Sequence, residues 1–260
     1  MGEAIDLFDS VADTYDEVRP SYPEQLFDDI VTYMGKSAGR VLEIGSGTGQ
    51  ATLAFAHRGF DVTALEPGKS LLNVSARKLS SYPNVRLINV SFEEWPLEPG
   101  VFDAVTSATA FHWVTPSVGY VKAAEALKEG GTLAPFWNKH PRPYTGFFEE
   151  VQLIYHEVVP EWPVPDSKLS DDAWIQETKS KIQKTGLFGE VTVRTYPWSR
   201  VYQAKDYVRL LSTYSDHMRL EEDRRNRLFR DIQTLIEDRF GGSVIRPYLT
   251  VLFLAHKLSN

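Results

Sequence analysis

Between Arg40 and Trp137 the chain alternates short apolar runs with segments of helical period, and few architectures accommodate that alternation. The runs are "RVLEIG" (Arg40 to Gly45), "DVTALE" (Asp61 to Glu66), "VRLINV" (Val85 to Val90), "FDAVTSA" (Phe102 to Ala108) and "TLAPFW" (Thr132 to Trp137). Each has the length of a strand, and the first is continuously apolar in the manner of a strand buried on both faces. Pro135 predicts an irregularity near the end of the fifth. Ala51, Leu53, Ala54 and Ala56 suit a helix that Gly59 stops, and "SLLNVSARKL" reads as another. Tyr120, Ala124 and Leu127 fall at helical spacing, and Gly130-Gly131 is expected to end that helix. Strands joined by crossover helices imply an α/β chain built on a parallel sheet covered on both faces.

The pattern changes after the fifth strand. His140 to Pro165 is rich in proline and aromatics, so residues 138–187 are expected to form an inserted cap. "EVTVRTY" (Glu190 to Tyr196) and "YLTVLFLA" (Tyr248 to Ala255) are two late strands, separated by a highly charged helical stretch from Ala204 to Phe240. No internal repeat or low-complexity linker divides the chain, which points to a single domain over residues 1–260.

Composition narrows the partners. The 260 residues are 42% hydrophobic and 24% charged, with a net charge of −7. No long Lys/Arg cluster is present, which disfavours a nucleic-acid substrate, because phosphate neutralisation supplies most of that affinity. There is no cysteine, so disulfides and thiolate metal sites are out, and no metal site is expected. The opening "MGEAIDLFDS" lacks the basic and long apolar regions of a signal peptide, and "YLTVLFLAHKL" is too short to span a bilayer. A cytoplasmic protein with no membrane partner is expected. "NVS" occurs at Asn73 and Asn89, chance matches in such a chain.

The first strand runs into Gly45-Ser46-Gly47-Thr48-Gly49, which opens a helix. In a parallel sheet, ligands bind beyond the carboxyl ends of the strands. Glycines there permit close approach of a ligand to the backbone, and the helix N-terminus favours a negative group. Glu66 ends the next strand, 21 residues after Gly45, where a carboxylate can accept hydrogen bonds from both hydroxyls of a ribose. The dinucleotide fingerprint requires a glycine at position 50, and this chain has Gln50.

The G-x-G-x-G spacing preceded by Glu43 resembles the cofactor loop of class I S-adenosylmethionine-dependent methyltransferases. "VLEIGSGTG", "VTALEP", "FDAVTSATAFHWV" and "LKEGGTLAPFWN" are similar to the successive motifs of that superfamily, in its order and at its spacing. "FDSVADTYDEVRPSYP" resembles the N-terminal segment of its small-molecule branch, which includes the relatives of trans-aconitate methyltransferase. The likeness is good over roughly residues 8 to 138, and "GGSVIRPYLTVLFLA" is similar to the closing strand pair. The resemblance implies a Rossmann-like, seven-stranded, mostly parallel sheet with helices on both faces, and S-adenosyl-L-methionine as cofactor.

By that resemblance Gly45, Ser46, Gly47 and Gly49 form the loop on which the cofactor rests. Glu43 orients the methionine portion or caps nearby amides. Glu66 takes the ribose hydroxyls and Pro67 shapes the adenine edge. Family members commonly have an acid after the third strand for the adenine amino group; here Ser91 stands in that place, with Glu93 as the alternative, and Phe92 offers a backbone amide or packs as a core aromatic. Residues 1–24 are expected to fold over the cofactor, with Tyr15 and Arg19 as contacts. Arg19 pairs with the methionine carboxylate or holds the segment to Asp13 or Asp16. Ala108 to Trp113 follow the fourth strand, where the methyl group is presented. His112 in that loop is either a general base or a residue that packs beside Trp113.

The cap aromatics Tyr144, Phe147, Phe148 and Trp162, with Trp198 and Tyr214, either line an apolar pocket or form core. Arg142, Arg200 and His217 are candidates to hold a substrate carboxylate. A small-molecule methyltransferase, with O- or carboxyl-methylation favoured, is the preferred reading. An NAD(P)-dependent oxidoreductase and a non-catalytic cofactor-binding module are the alternatives.

Overall fold

The computed structural model describes residues 7–141, 144–163 and 171–259. Seven strands form one sheet in the order β3-β2-β1-β4-β5-β7-β6. They are β1 (Arg40–Ile44), β2 (Asp61–Leu65), β3 (Val85–Ile88), β4 (Phe102–Ala108), β5 (Leu127–Lys139), β6 (Thr192–Gln203) and β7 (Ser243–His256). The first five are parallel; β7 runs antiparallel to β5, and β6 antiparallel to β7. The crossover helices are α3 (Gln50–His57), α4 (Lys69–Lys78) and α5 (Pro116–Ala126), preceded by α1 (Ala12–Val18) and α2 (Glu24–Met34). The order reverses between β1 and β4, which is where an open α/β sheet leaves a crevice.

Alternate residues of the strands feed two cores, one on each face. Leu42, Val105, Leu133 and Phe253 pack on one side. Val41, Ala104, Ala134 and Leu252 pack on the other, against Leu26, Phe27 and Ile30 of α2 and Phe55 of α3. The apolar run of β1 is continuous because both of its faces are covered.

One expectation needs correcting. Gly130-Gly131 does not end α5, which stops at Ala126; the pair lies inside β5. Phe102 pairs with Leu127 and Ala104 with Thr132, so five residues of β5 advance where β4 advances two. The glycines absorb that bulge, with Gly130 at φ 69°. The helical stretch 204–240 resolves into three helices: α8 (Ala204–Leu211), α9 (Ser215–Met218) and α10 (Glu222–Arg239). They are inserted between β6 and β7, whose pairing continues out to Gln203↔Ser243. This long two-stranded arm carries α8 and α10 beyond the end of β5.

The region 138–187 divides in two. α6 (Phe147–Val158) packs with α8 and α10 in a separate core that includes Phe147, Phe148, Tyr207, Ile232 and Tyr248. α7 (Asp171–Gln183) instead lays Ile175 and Ile182 on the sheet core beside Trp137. Tyr144, Trp162, Trp198 and Tyr214 pack against the α6–α8–α10 core. Arg142 lies outside the described residues.

Candidate functional site

The carboxyl ends of β1, β2 and β4 open into a cavity of about 480 Å³. Tyr15 and Arg19 roof it from the end of α1; Gly45, Gly47, Glu66 and Pro67 line it from the β1 and β2 turns. Ser91, Phe92 and Glu93 follow β3, and Ala108 and His112 follow β4. Glu43, Ser46 and Gly49 do not line this cavity.

The loop after β1 is built on left-handed backbone. Gly45 sits at φ 68°, and a Cβ there would meet the Ala110 Cβ at 2.6 Å, so the β1 and β4 turns can close on each other only with glycine. Gly49 serves a different purpose from the one expected. It is the N-cap of α3, and a Cβ on it would meet the Ser75 Oγ of α4 at 2.6 Å. It allows two helices to approach, not a ligand. Ser46 lines a smaller side chamber, and its Oγ is buried without a hydrogen-bond partner.

Glu66 is nearly sealed, at 6% exposure. Its Oε2 accepts from Gly47 N at 2.8 Å and its Oε1 from Gly68 N at 2.8 Å. Burial pushes its carboxyl up to about 7 despite those two bonds. Each oxygen keeps a lone pair for a further donor. Glu43 lies beneath the loop with no exposed surface; its Oε2 accepts from Thr52 Oγ1 at 2.6 Å, and its Oε1 has no partner. Burial raises its carboxyl to about 8, opposed by the Thr52 bond and reinforced by the charge of Glu66.

The N-terminal segment is pinned from Asp9 to Arg19. Asp9 Oδ1 accepts from Ser70 N and Leu71 N at the start of α4, and Asp16 pairs with Lys78. Arg19 pairs with neither Asp13 nor Asp16. Its Nε donates to Thr213 Oγ1 at 2.8 Å, its Nη2 donates to the Thr213 carbonyl, and it stacks between the Tyr15 and Tyr214 rings at 4.7 and 4.3 Å. Arg200 is not placed for a substrate: it donates to the Val18 and Arg19 carbonyls and caps α1. His217 is buried between Asp216 and Tyr155, with 2.7 and 2.9 Å contacts.

Past β3, Ser91 Oγ is engaged with Glu94, donating to its carboxylate at 3.1 Å and accepting from its amide at 3.3 Å. Glu93 is committed at one oxygen, accepting from Thr115 N and Oγ1 at 2.8 and 2.9 Å at the N-cap of α5. Phe92 is buried and stacks on Trp95, so its ring belongs to the core while it borders the cavity. His112 accepts a hydrogen bond at Nδ1 from Trp137 Nε1, at 3.2 Å, and its ring lies 5.0 Å from that of Trp113. Accepting at Nδ1 leaves the proton on Nε2 of the neutral ring. The residue is surface-accessible, yet packing around the imidazole, with the Lys139 charge, holds it below its usual range.

Sequence reasoning missed two contributors, Thr109 and Arg246, and left Tyr214 open between pocket wall and core. Thr109 is the one non-glycine residue at positive φ among the described residues, at 56°. Its Oγ1 bonds the Tyr22 hydroxyl at 2.9 Å and accepts from Asn138 N at 3.3 Å, holding the strained turn after β4. Tyr214 and Arg246 arrive from the α8–α9 turn and from β7. No local motif marks them; the β6–β7 arm brings them in.

Residues 41–131 match a family model described as a methyltransferase domain. Over those residues the chain carries a methyltransferase domain. The chain is 37% identical over 131 residues to the uncharacterized methyltransferase Rv3342 of Mycobacterium tuberculosis, covering 50% of this chain and 51% of that protein. It thus spans about half the length of that curated relative. In three dimensions the chain resembles a structure from Anaeromyxobacter dehalogenans described as a type II methyltransferase, with TM-score 0.68 and 20% identity, covering 93% of this chain and 99% of that one. It also resembles the Haemonchus contortus phosphoethanolamine N-methyltransferase 2 bound to phosphomonomethylethanolamine and S-adenosylhomocysteine, with TM-score 0.56 and 17% identity, covering 96% of this chain and 58% of that one. At these identities the two structures speak to the fold.

S-adenosylmethionine is the cofactor of such a domain, and the residues present fit it. The cavity is of the size that small-molecule sites have, about 300–1,000 Å³. A sealed carboxylate with spare lone pairs faces it at Glu66, and the Gly45–Gly47 turn brings backbone to its wall.

Proposed function

We propose that this chain methylates a small molecule from S-adenosylmethionine, at an oxygen or a carboxylate. When bound, the cofactor supplies a methyl group on an already activated sulfonium. The protein's part is then to align the acceptor and exclude water. Glu66 holds the ribose hydroxyls, the Gly45–Gly47 turn supports the methionine end, and Pro67 and Phe92 border the adenine. Ser91 and Glu93, each already bonded within the protein, contribute shape more than adenine hydrogen bonds. His112 orients the acceptor as an Nε2 donor, in preference to acting as a base, because Trp137 fixes its tautomer.

The observation that carries this reading is the buried Glu66 carboxylate at the end of β2, beside a loop that lacks the third glycine of the dinucleotide fingerprint. The small-molecule assignment, in the branch that includes the relatives of trans-aconitate methyltransferase, rests on the net charge of −7 and on the enclosing arm of α8 and α10. Among the described residues no helix is long and apolar enough to cross a membrane, and we assign the protein to the cytoplasm.

Calorimetry tests the reading. S-adenosylmethionine and S-adenosylhomocysteine should both bind, and NADH should not. Tight NADH binding without sulfonium binding would make the chain an oxidoreductase. Release of S-adenosylhomocysteine across a panel of acids, phenols and amines separates an enzyme from a silent cofactor-binding module.

A further inference from the structure

Beside the main cavity lies a side chamber of about 90 Å³, room for one small group. The two spaces share Tyr15, Arg19, Gly45, Gly47, Ala108, Thr109 and Tyr214 as walls. The side chamber is lined by Arg19, Lys139 and Arg246 and by no Asp or Glu. In a chain with a net charge of −7, two guanidiniums lining one chamber without an acid is a local inversion of the protein's charge; the Lys139 ammonium instead lies 4.3 Å over the Trp174 ring.

Arg246 is the informative member. It sits on β7 and lines the chamber, half-buried. Its Nη1 donates to the Tyr207 hydroxyl at 3.0 Å. Its Nε is fully shielded and donates to nothing. No carboxylate among the described residues pairs with its guanidinium. Instead, aromatic faces surround it: Tyr248 at 5.3 Å, and Phe148, Tyr207 and Tyr214 at 5.8 Å each. Cation–π contacts offset part of the cost of shielding this charge, but they give no acceptor to the idle N–H. A buried donor without a partner is costly, and proteins ordinarily satisfy it. A guanidinium cannot escape by losing its proton.

We propose that Arg246 anchors a carboxylate of the methyl acceptor in this chamber, so that the substrate is an organic acid with an apolar body. This rests on the methyltransferase reading and sharpens it. The planar fork of Arg246 suits a carboxylate, and the apolar body extends past the Tyr214 ring, which borders both spaces, into the main cavity. Two guanidiniums stack on the same Tyr214 ring, Arg19 at 4.3 Å and Arg246 at 5.8 Å. They serve two carboxylates: Arg19, which lines both the main cavity and the chamber, that of the cofactor's amino-acid part, and Arg246, which lines the chamber alone, that of the acceptor.

The test compares matched acids and amides. Phenylacetate, 4-phenylbutyrate and octanoate, each beside its primary amide, are titrated into the protein saturated with S-adenosylhomocysteine, for wild type, Arg246→Gln and Arg246→Lys. At least one acid should bind wild type tenfold or more tightly than its amide. That preference should vanish in Arg246→Gln and partly survive in Arg246→Lys. S-adenosylhomocysteine should bind all three proteins within about threefold, which also shows that the variants fold. A tenfold loss of S-adenosylhomocysteine affinity in Arg246→Gln, with the acid preference unchanged, would assign the guanidinium to the cofactor and overturn the proposal. So would the absence of any acid preference in wild type. Failure of wild type to bind S-adenosylhomocysteine would instead sink the methyltransferase reading, and the same titrations on the ligand-free protein would then decide the chamber alone.

Discussion

Glu66 has to be a carboxylate to accept two ribose hydroxyls, yet its burial makes it a reluctant one. Burial pushes its carboxyl up to about 7. Binding that selects the ionised form must expel a proton whenever the pH lies below that value. The affinity for S-adenosylhomocysteine should therefore be flat above pH 8 and fall by roughly tenfold per pH unit once the pH is below about 6.5. Glu66→Gln should bind at least tenfold more weakly at pH 8 and lose the pH dependence. An affinity unchanged in Glu66→Gln, or a slope that survives the substitution, would remove the ribose role. Isothermal titration between pH 5.5 and 9 reads both.

At the scale of elements, the roof of the site is a short helix held from far away. The carbonyls that end α1 point at β6, where Arg200 donates to Val18 O and Arg19 O at 3.3 and 3.1 Å, and the Tyr202 hydroxyl donates to Val18 O at 3.3 Å. A cation at a helix C-terminus satisfies the orphan carbonyls and complements the dipole. Arg200→Ala should leave the sheet intact and loosen the roof. Amide exchange in residues 12–19 should speed up, and S-adenosylhomocysteine affinity should drop about threefold to tenfold. Exchange that rises equally throughout the sheet would contradict this. The same pairing explains what was legible in the sequence. Glu66 and the Gly45–Gly47 turn are contiguous motifs whose meaning is local, and the buried strands announce themselves by apolar runs. The place of Arg246 in the site, the choice of pocket over core for Tyr214 and the cap that Arg200 puts on α1 depend on a β6–β7 arm whose strands are separated by three helices, a relation no local spacing encodes. Gly49 and Gly130-Gly131 misled for a complementary reason: a glycine reports that a side chain must be absent, not which neighbour requires it.

For the molecule as a whole, the site's acids set the pH dependence of stability. Glu43 and Glu66 have folded-state values raised to about 8 and about 7, mainly by burial. A raised acid binds its proton more tightly in the folded state, so its contribution is fully present below the unfolded value near 4.5 and is lost as the pH climbs through 7 to 8. Asp103 works in the opposite sense. Burial alone would raise it, but bonds from Lys128, Lys36 and the Arg40 amide outweigh that and lower it to about 2. Its contribution is present above its unfolded value near 3.8 and fades as the pH falls toward 2. The ligand-free protein should therefore be most stable near pH 4 to 4.5, lose stability progressively as the pH climbs from there to about 8, and change little between pH 8 and 9. Glu43→Gln isolates the largest part of that loss. The amide oxygen can still accept from Thr52 Oγ1, and no charge remains to be buried. The variant should melt close to wild type at pH 4.5 and about 5–10 °C above it at pH 9. Equal melting temperatures at pH 9 would mean that Glu43 carries no penalty in the folded state, and that the space beneath the glycine loop is better solvated than its packing implies.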